Sequence, residues 1–351
     1  MVAAFRKLHA EKPFCGVLNR KEKCVIPAAL LASALNLPEL IRNPQLARDK
    51  YSMRLAMNVA TPGPRCLLLQ TRHDTEAVPR DFFPAVLKPR YGFNSRSVCL
   101  VNNHAELLSS YDIQRASYLS LMRQDGTSAD FVVEELIEGS EHTIDSFVVD
   151  GTAIVHLLSD KRPMQGPWFV ETGDNIPSAL SAVQQHQVQQ CTSETIRSLG
   201  IQNGWTHTEV RVGLNGPVPI ECAARMGGGY FEQLIRAAWG IDRMDWLIRL
   251  FSGDAVPVRV DAPRPVCGRR YVVYGPPRAY RLKNAQQLFA TPGIQLIWPE
   301  KMEHIDRVLT GPPLEFSNTL FEYMAEGDSQ VAALSVAERV LEQAAVSEEP
   351  L

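Results

Sequence analysis

Residues 205–229, WTHTEVRVGLNGPVPIECAARMGGG, read as a two-stranded hairpin that runs into a glycine-rich bend and then a helix. Alternate residues of a strand share a face, so Trp205, His207, Glu209 and Arg211 point one way and Thr208, Val210 and Val212 the other. A three-residue loop Leu214-Asn215-Gly216, with the glycine left-handed, pairs Gly213 with Pro217 and sets Glu209 directly opposite Glu221. A two-residue Asn-Gly loop would put the two carboxylates on opposite faces. The sequence alone leaves both open, and the three-residue loop is the expectation because it accounts for the acids. Like charges about 5 Å apart across a strand pair destabilise it unless something positive lies between them. Magnesium is such a group: it takes oxygen ligands and prefers one or two carboxylates completed by water and phosphate. Arg225 adds a planar cation suited to phosphate or to a developing oxyanion. Gly227, Gly228 and Gly229 let backbone approach a ligand. The plainer reading of the same residues is a solvated hairpin with scattered charges.

A chain of 351 residues buries a large core and exceeds one typical domain. With 45% hydrophobic and 21% charged residues it is globular and not disordered. A formal net charge of −3 argues against a nucleic-acid binder that works through bulk positive charge. Seven cysteines without a CxxC or a pairing rhythm argue against a disulfide framework and for a reducing compartment. The longest apolar stretch, Val25 to Leu37, is broken by Pro27 and Asn36 and is too short to span a bilayer. No signal-peptide pattern opens the chain, so the cytoplasm is the expected location.

Along the chain, Phe14 to Leu18 reads as a short strand, and helices are expected near Pro27 to Leu37 and Gln45 to Asn58. Strands are expected at 66–69, 84–88 and 98–101, a helix over His104 to Arg123, and a long β run from Phe131 with a tight turn at Asp150-Gly151. Lys161 to Pro177 reads as a long connection, after which Ser178 caps a polar helix to Leu199. Helices follow near Phe231 to Ala238 and Asp242 to Phe251, then strands near 269–274 and 294–298. A terminal helix carries Val331, Leu334, Ala337 and Leu341 as its stripe, and the tail Ser347 to Leu351 is expected to fray.

Three further stretches bear on chemistry. Lys88 ends an apolar strand and enters the loop Pro89 to Ser97, where an ammonium beside free amides suits phosphate; lysine before a turn is also commonly just solvated. Glu134 to Glu141, EELIEGSE, puts four carboxylates at a strand end: a solvent-facing edge, or backbone for an adenine edge followed by an acceptor for ribose hydroxyls. His207 is read as a hydrogen-bonded structural residue before a catalyst. Lys161 and Arg162 are either substrate-facing cations or solvated. Trp168, Phe169 and Trp205 are read as packing, as is Cys222, which has no evident base partner.

In order and spacing these features resemble the ATP-grasp superfamily, and within it the carboxylate-amine ligases that join amino acids, the L-amino acid ligases above all, over roughly residues 15–345. The resemblance implies an α/β (α+β) protein with the ATP-grasp fold, in which two α+β subdomains grip a nucleotide. It divides the chain into a truncated N-terminal α/β domain at 1–44, a lid subdomain with the adenine hinge at 45–148, a larger subdomain with the metal and substrate sites at 149–260, and a C-terminal α+β extension at 261–351. Lys50 in DKYSMR and Lys88 in AVLKPRYGFNSRSV look like the two nucleotide lysines, the second followed by the phosphate loop that contains Ser95. VVEELIEGSEHTIDSFV is similar to the adenine hinge, implying adenine contacts at Glu134, Glu135, Leu136 and Ile137 and a ribose contact at Glu141. HTEVR and IECAARMGGG resemble the metal strands, implying magnesium, with manganese as its substitute, on Glu209 and Glu221, and Arg225 facing an acyl phosphate. WFVETGDNIPS looks like the substrate loop, with Glu171 receiving an amino group. Ala223 departs from the asparagine usual two residues after the second metal glutamate, and Asp174 from a histidine three residues after the loop glutamate. The expected function is ATP-dependent ligation of a carboxylate, such as that of an amino acid, to an amine. A homodimer is compatible with it, and neither nucleic acid nor membrane is an expected partner. The alternatives are a kinase-like or thiol-acceptor variant and a nucleotide-binding protein without turnover.

Overall fold

The computed structural model describes residues 2–122, 128–164, 167–274, 278–301, 305–309 and 318–349. The N-terminal stretch is helical: α1 (Val2–Glu11), α2 (Val25–Ala34) and α3 (Lys50–Ala60). The strand expected at Phe14 to Leu18 is absent, and residues 2–44 contain no strand. Helix α3 starts at Lys50 because the Asp49 carboxylate accepts from the backbone N–H groups of Tyr51 and Ser52, an N-cap that satisfies otherwise orphaned donors.

Next comes a small antiparallel sheet from β1 (Cys66–Leu69), β2 (Ala85–Pro89), β3 (Cys99–Val101) and, after α4 (His104–Met122), β4 (Phe131–Glu135), in the order β1-β4-β2-β3. Tyr111 and Tyr118 of α4 pack edge-on against Phe131 to close its core.

The rest is built on an eight-stranded sheet. Its first members are β5 (Ser140–Val149), β6 (Thr152–Lys161) and β7 (Gly173–Ile176), then, after α5 (Ala182–Ser198), β8 (Gly204–Gly213) and β9 (Gly216–Ala223). Two amphipathic helices follow, α6 (Phe231–Trp239) and α7 (Arg243–Ser252), then β10 (Val266–Val272), β11 (Arg278–Leu282), α8 (Ala285–Phe289), β12 (Ile294–Trp298), β13 (Asp306–Leu309), β14 (Thr319–Glu326), α9 (Gln330–Gln343) and β15 (Val346–Glu349). The sheet order is β12-β14-β10-β7-β6-β5-β8-β9, with β13-β11-β15 as a third, small sheet. One continuous sheet therefore crosses the boundaries drawn at 148/149 and 260/261. Its largest core gathers Phe147, Trp205 and Trp246 with the inward faces of α6 and α7.

Several local expectations are corrected. The connection after Lys161 holds β7, which pairs with β6 and β10. Helix α5 is capped by Ser181 in a reciprocal box with Gln184, while Ser178 hydrogen-bonds Asp160 instead. On α9 the expected stripe holds at Leu334, Ala337 and Leu341, which meet the core beside Ala333 and Val340, and fails only at Val331, which is 77% exposed. The tail does not fray before residue 350, since β15 pairs with β11 along Val346–Glu349.

Candidate functional site

The hairpin β8–β9 reaches the expected pairing by another route. Its turn has two residues, Leu214 and Asn215, with Gly213 opposite Gly216, which corrects the three-residue loop. Pairing continues to Val210 opposite Pro219, and then the register shifts so that Glu209 stands opposite Glu221. The extra residue is Ile220, a bulge in β9. Arg54 of α3 holds it: its guanidinium donates to the Pro219 carbonyl at 2.7 Å and the Ile220 carbonyl at 2.9 Å. The same fork grips the Glu134 carboxylate at 3.1 and 3.3 Å.

Glu209 and Glu221 line one cavity with Lys50, Lys88, Ser95, Glu134, Glu135, Leu136, Ile137, Glu141, Glu171 and Arg225, so every sequence-derived site residue reaches a single space. Lys50 Nζ lies 2.5 Å from Glu221 Oε1. Lys88 Nζ lies 2.6 Å from Glu134 Oε2. The Glu134 side chain is thus committed to a buried ion pair with Lys88 and Arg54, and its backbone stands in register with Cys66 on one side and Val86 on the other. The Glu135 carboxylate is likewise committed, to the backbone N–H and guanidinium of Arg65. Beyond them, the Leu136 N–H bonds the Pro84 carbonyl and the Ile137 carbonyl accepts from Arg211. Asn94, Ser95 and Ser97 all hold positive φ, which bends the loop after Lys88 over the cavity.

A second cluster centres on Lys161, whose Nζ contacts Glu171 at 2.6 Å, Glu209 at 2.8 Å and Glu141 at 3.0 Å. Strand pairing explains the gathering: Glu141, Thr143 and Asp145 of β5 stand opposite Arg211, Glu209 and His207 of β8. The Arg211–Glu141 pair closes at 3.0 Å, and His207 Nδ1 lies 2.8 Å from Asp145, itself held by the buried Arg243 at 2.7 Å. Arg270 of β10 completes the set, with Glu171 at 3.0 Å and Glu322 at 2.7 Å.

Electrostatically the two facing acids differ. Burial works to raise the Glu221 carboxyl, but Lys50, with Lys88 and Arg225, outweighs it and holds the acid below the usual range. Burial raises Glu209, Lys161 opposes, and the carboxylates of Glu171, Glu141 and Glu221 leave it above that range. That charge crowding is what a bound cation relieves. Among the described residues no group of three or more His, Cys, Asp or Glu side chains is placed to hold a metal ion. Two facing carboxylates fit a cation completed by phosphate and water better than a closed protein cage.

Arg225 is set by Glu22, at 2.5 Å from its Nε, and by the Met226 carbonyl at 2.8 Å. Glu22 also takes Arg48 at 2.5 Å. The glycines are largely explained by protein neighbours. A Cβ on Gly227 would fall 2.5 Å from His207 Nδ1, and Gly229 has φ +60° with an Arg270 nitrogen 2.6 Å from its would-be Cβ. Only Gly228 opens to free space on the cavity wall.

Sequence reasoning missed Arg54, Arg270 and Glu22. Arg54 lies one turn after Lys50 on α3, where i, i+4 residues share a face, and that spacing was a usable signal. Arg270 and Glu22 carry none, since their partners lie 99 and 203 positions away.

Lysines and carboxylates thus line one cavity in an α+β protein built on a large antiparallel sheet and a smaller one. Residues 81–233 match the model of an ATP-grasp domain. The fold agrees: the crystal structure of an L-amino acid ligase from Bacillus licheniformis superposes with a TM-score of 0.81 at 22% identity, over 100% of this chain and 85% of that one. Carnosine synthase 1 of Gallus gallus is 30% identical over 187 residues, 52% of this chain and 20% of that protein. Alanine–anticapsin ligase of Bacillus subtilis (strain 168) is 27% identical over 267 residues, 68% of this chain and 54% of that enzyme. The chain thus spans between a fifth and about half the length of these relatives. No described helix is long and apolar enough to cross a membrane.

Proposed function

We propose that the chain is an ATP- and magnesium-dependent ligase that joins a carboxylate, such as that of an amino acid, to an amine. The observation that carries this is Glu209 opposite Glu221 in a cavity that also holds Lys50, Lys88 and Arg225. The names of the relatives, a carnosine synthase and an alanine–anticapsin ligase, support the same class. The carboxylate oxygen takes the γ-phosphoryl group and ADP leaves; the amine nitrogen then attacks the acyl carbon, and phosphate and a proton depart with the amide formed.

Glu209 and Glu221 would hold the metal, magnesium or manganese, whose chemistry when bound is to offset phosphate charge. Lys50 and Lys88, each tied to one carboxylate, keep further N–H donors for phosphate oxygens. Arg225, oriented by Glu22, stands where charge develops on the acyl group. Glu171, between Lys161 and Arg270, is the candidate for orienting the amine. The loop after Lys88 and the segment 161–177 are the candidate covers that exclude water from the acyl phosphate; residues 165–166 lie outside the described residues.

The test is release of ADP and phosphate in a screen of paired amino acids. Release of both supports ligation, ADP with a phosphorylated product indicates a kinase, and binding without either indicates a protein without turnover, the outcome Ala223 favours by leaving only a methyl two residues after Glu221. Glu221→Gln is expected to lower turnover by about a hundredfold or more while the fold persists. Near-normal rates in that variant reject the metal assignment.

A further inference from the structure

A second cavity, of about 680 Å³, adjoins the first and shares Phe93, Asn94, Arg96, Arg225 and Gly228 with it. Its size falls in the range of small-molecule sites, about 300–1,000 Å³. The outer wall comes from the stretch before α2, where Arg20, Lys21 and Lys23 line this cavity and not the first. Trp298 of β12 and Glu322 of β14 form the opposite wall.

The charge balance is one-sided. Among the described residues that line it, five side chains are cationic, Arg20, Lys21, Lys23, Arg96 and Arg225, and two are carboxylates, Glu22 and Glu322. Both acids are engaged by guanidiniums: Glu22 by Arg48 and Arg225, and Glu322 by Arg270. The Phe93 ring carries cations too, with Lys23 at 5.8 Å and Arg96 at 5.3 Å from its centroid. The nucleotide phosphates do not account for Arg20, Lys21 and Lys23, which line this cavity and not the one that holds Lys50 and Lys88. An ordinary amino acid brings one carboxylate to such a chamber. A rim that adds Arg20 and Lys21 to Lys23 and Arg96 suits an occupant with a second anionic group, since guanidinium and ammonium donors bind carboxylates through charge-assisted hydrogen bonds.

We infer that this chamber takes the amine substrate, and that this substrate is a dicarboxylic amino acid whose side-chain acid meets the Arg20–Lys21 rim while its amine points past Arg225 toward the acyl group. The inference rests on the ligase reading. The Trp298 ring then offers a flat wall to the aliphatic part of the side chain.

The test uses isosteric pairs as amines, glutamate against glutamine and aspartate against asparagine, each with a panel of carboxylate donors, and follows ADP release. Glutamate or aspartate is expected to exceed its amide by about tenfold or more in kcat/KM. That preference is expected to collapse toward unity in the Arg20→Ala/Lys21→Ala double variant, and to shrink with rising salt as exposed charges are screened. Both side chains are exposed, so the variant keeps its core. ADP release with the amides at rates equal to the acids overturns the inference and leaves the ligase reading standing. A preference that survives the double variant also overturns it. No ADP release with any pair removes the ligase reading and the inference with it.

Discussion

At the scale of single residues, Glu134 shows how far a role can differ from its sequence context. It lies in an acidic run that looks solvent-facing, yet it is 3% exposed and bound by Lys88 and Arg54. Burial alone would raise its carboxyl, but the two cations outweigh burial and hold it down to about 2. A carboxyl depressed in the fold contributes stability that is fully present above its unfolded value near 4.5 and is lost as pH falls toward 2. Glu134→Gln leaves both cations buried without their counter-charge, so a loss of about 3–5 kcal/mol is expected. Urea titrations at pH 7 and pH 3 check this: the deficit should narrow at the lower pH, and a deficit that does not change with pH contradicts the assignment. Glu209 and Glu221 are expected to face each other because facing acids account for a cation between them, and the two-residue turn reaches that pairing only through the bulge at Ile220. The role of Glu134 is not legible, since its partners come from α3 and β2 and nothing within the run reports them.

Among the elements, the hairpin β8–β9 is the instructive case. Its facing carboxylates follow from the sequence, but the way the strands reach that register does not. The sequence allows the extra residue in the turn or in the strand, and what places it at Ile220 is the Arg54 guanidinium from an element 165 positions away. Arg54→Lys keeps the charge and loses the planar fork, so one ammonium cannot satisfy two carbonyls and a bidentate carboxylate together. A loss of about 2–4 kcal/mol is expected, together with weaker nucleotide binding, because the bulge carries Glu221 on its next residue. Calorimetric unfolding and nucleotide titration check the two parts, and wild-type affinity in a folded variant would show that the bulge does not set the site. The short strand β7 was hidden for a similar reason: GDNI has no strand periodicity, and its pairing comes from β6 and β10 on either side. On α9 the stripe holds at Leu334, Ala337 and Leu341, which meet the core beside β10 and β14, and fails at Val331 in the first turn, which faces solvent. Periodicity finds such a helix more securely than it finds where its inward face begins.

For the molecule as a whole, the site is held together by charges drawn from most of the chain. Lys50, Lys88, Lys161, Arg225 and Arg270 each meet a carboxylate from another element, and α3 is tied to the large sheet by Lys50–Glu221 and to the small sheet by Arg54–Glu134. Under the proposed function these pairs are also where ligand charges would act. Phosphate would compete with Glu221 for Lys50, and a metal would then take up the carboxylate that Lys50 gives up. Free ATP should therefore stabilise the fold less than ATP with magnesium, since alone it takes Lys50 from Glu221 and leaves that acid facing the crowded Glu209. Binding restricted to the folded state adds about 2.7 kcal/mol at a hundredfold excess over Kd, so the melting temperature should rise with nucleotide concentration when the metal is present. Glu221→Gln, which releases Lys50 to phosphate, should raise the response to ATP alone and shrink the difference between ATP and ATP with magnesium, and thermal shift measurements over a concentration series decide it. Equal stabilisation with and without metal would mean that Glu209 and Glu221 face each other for structural reasons only.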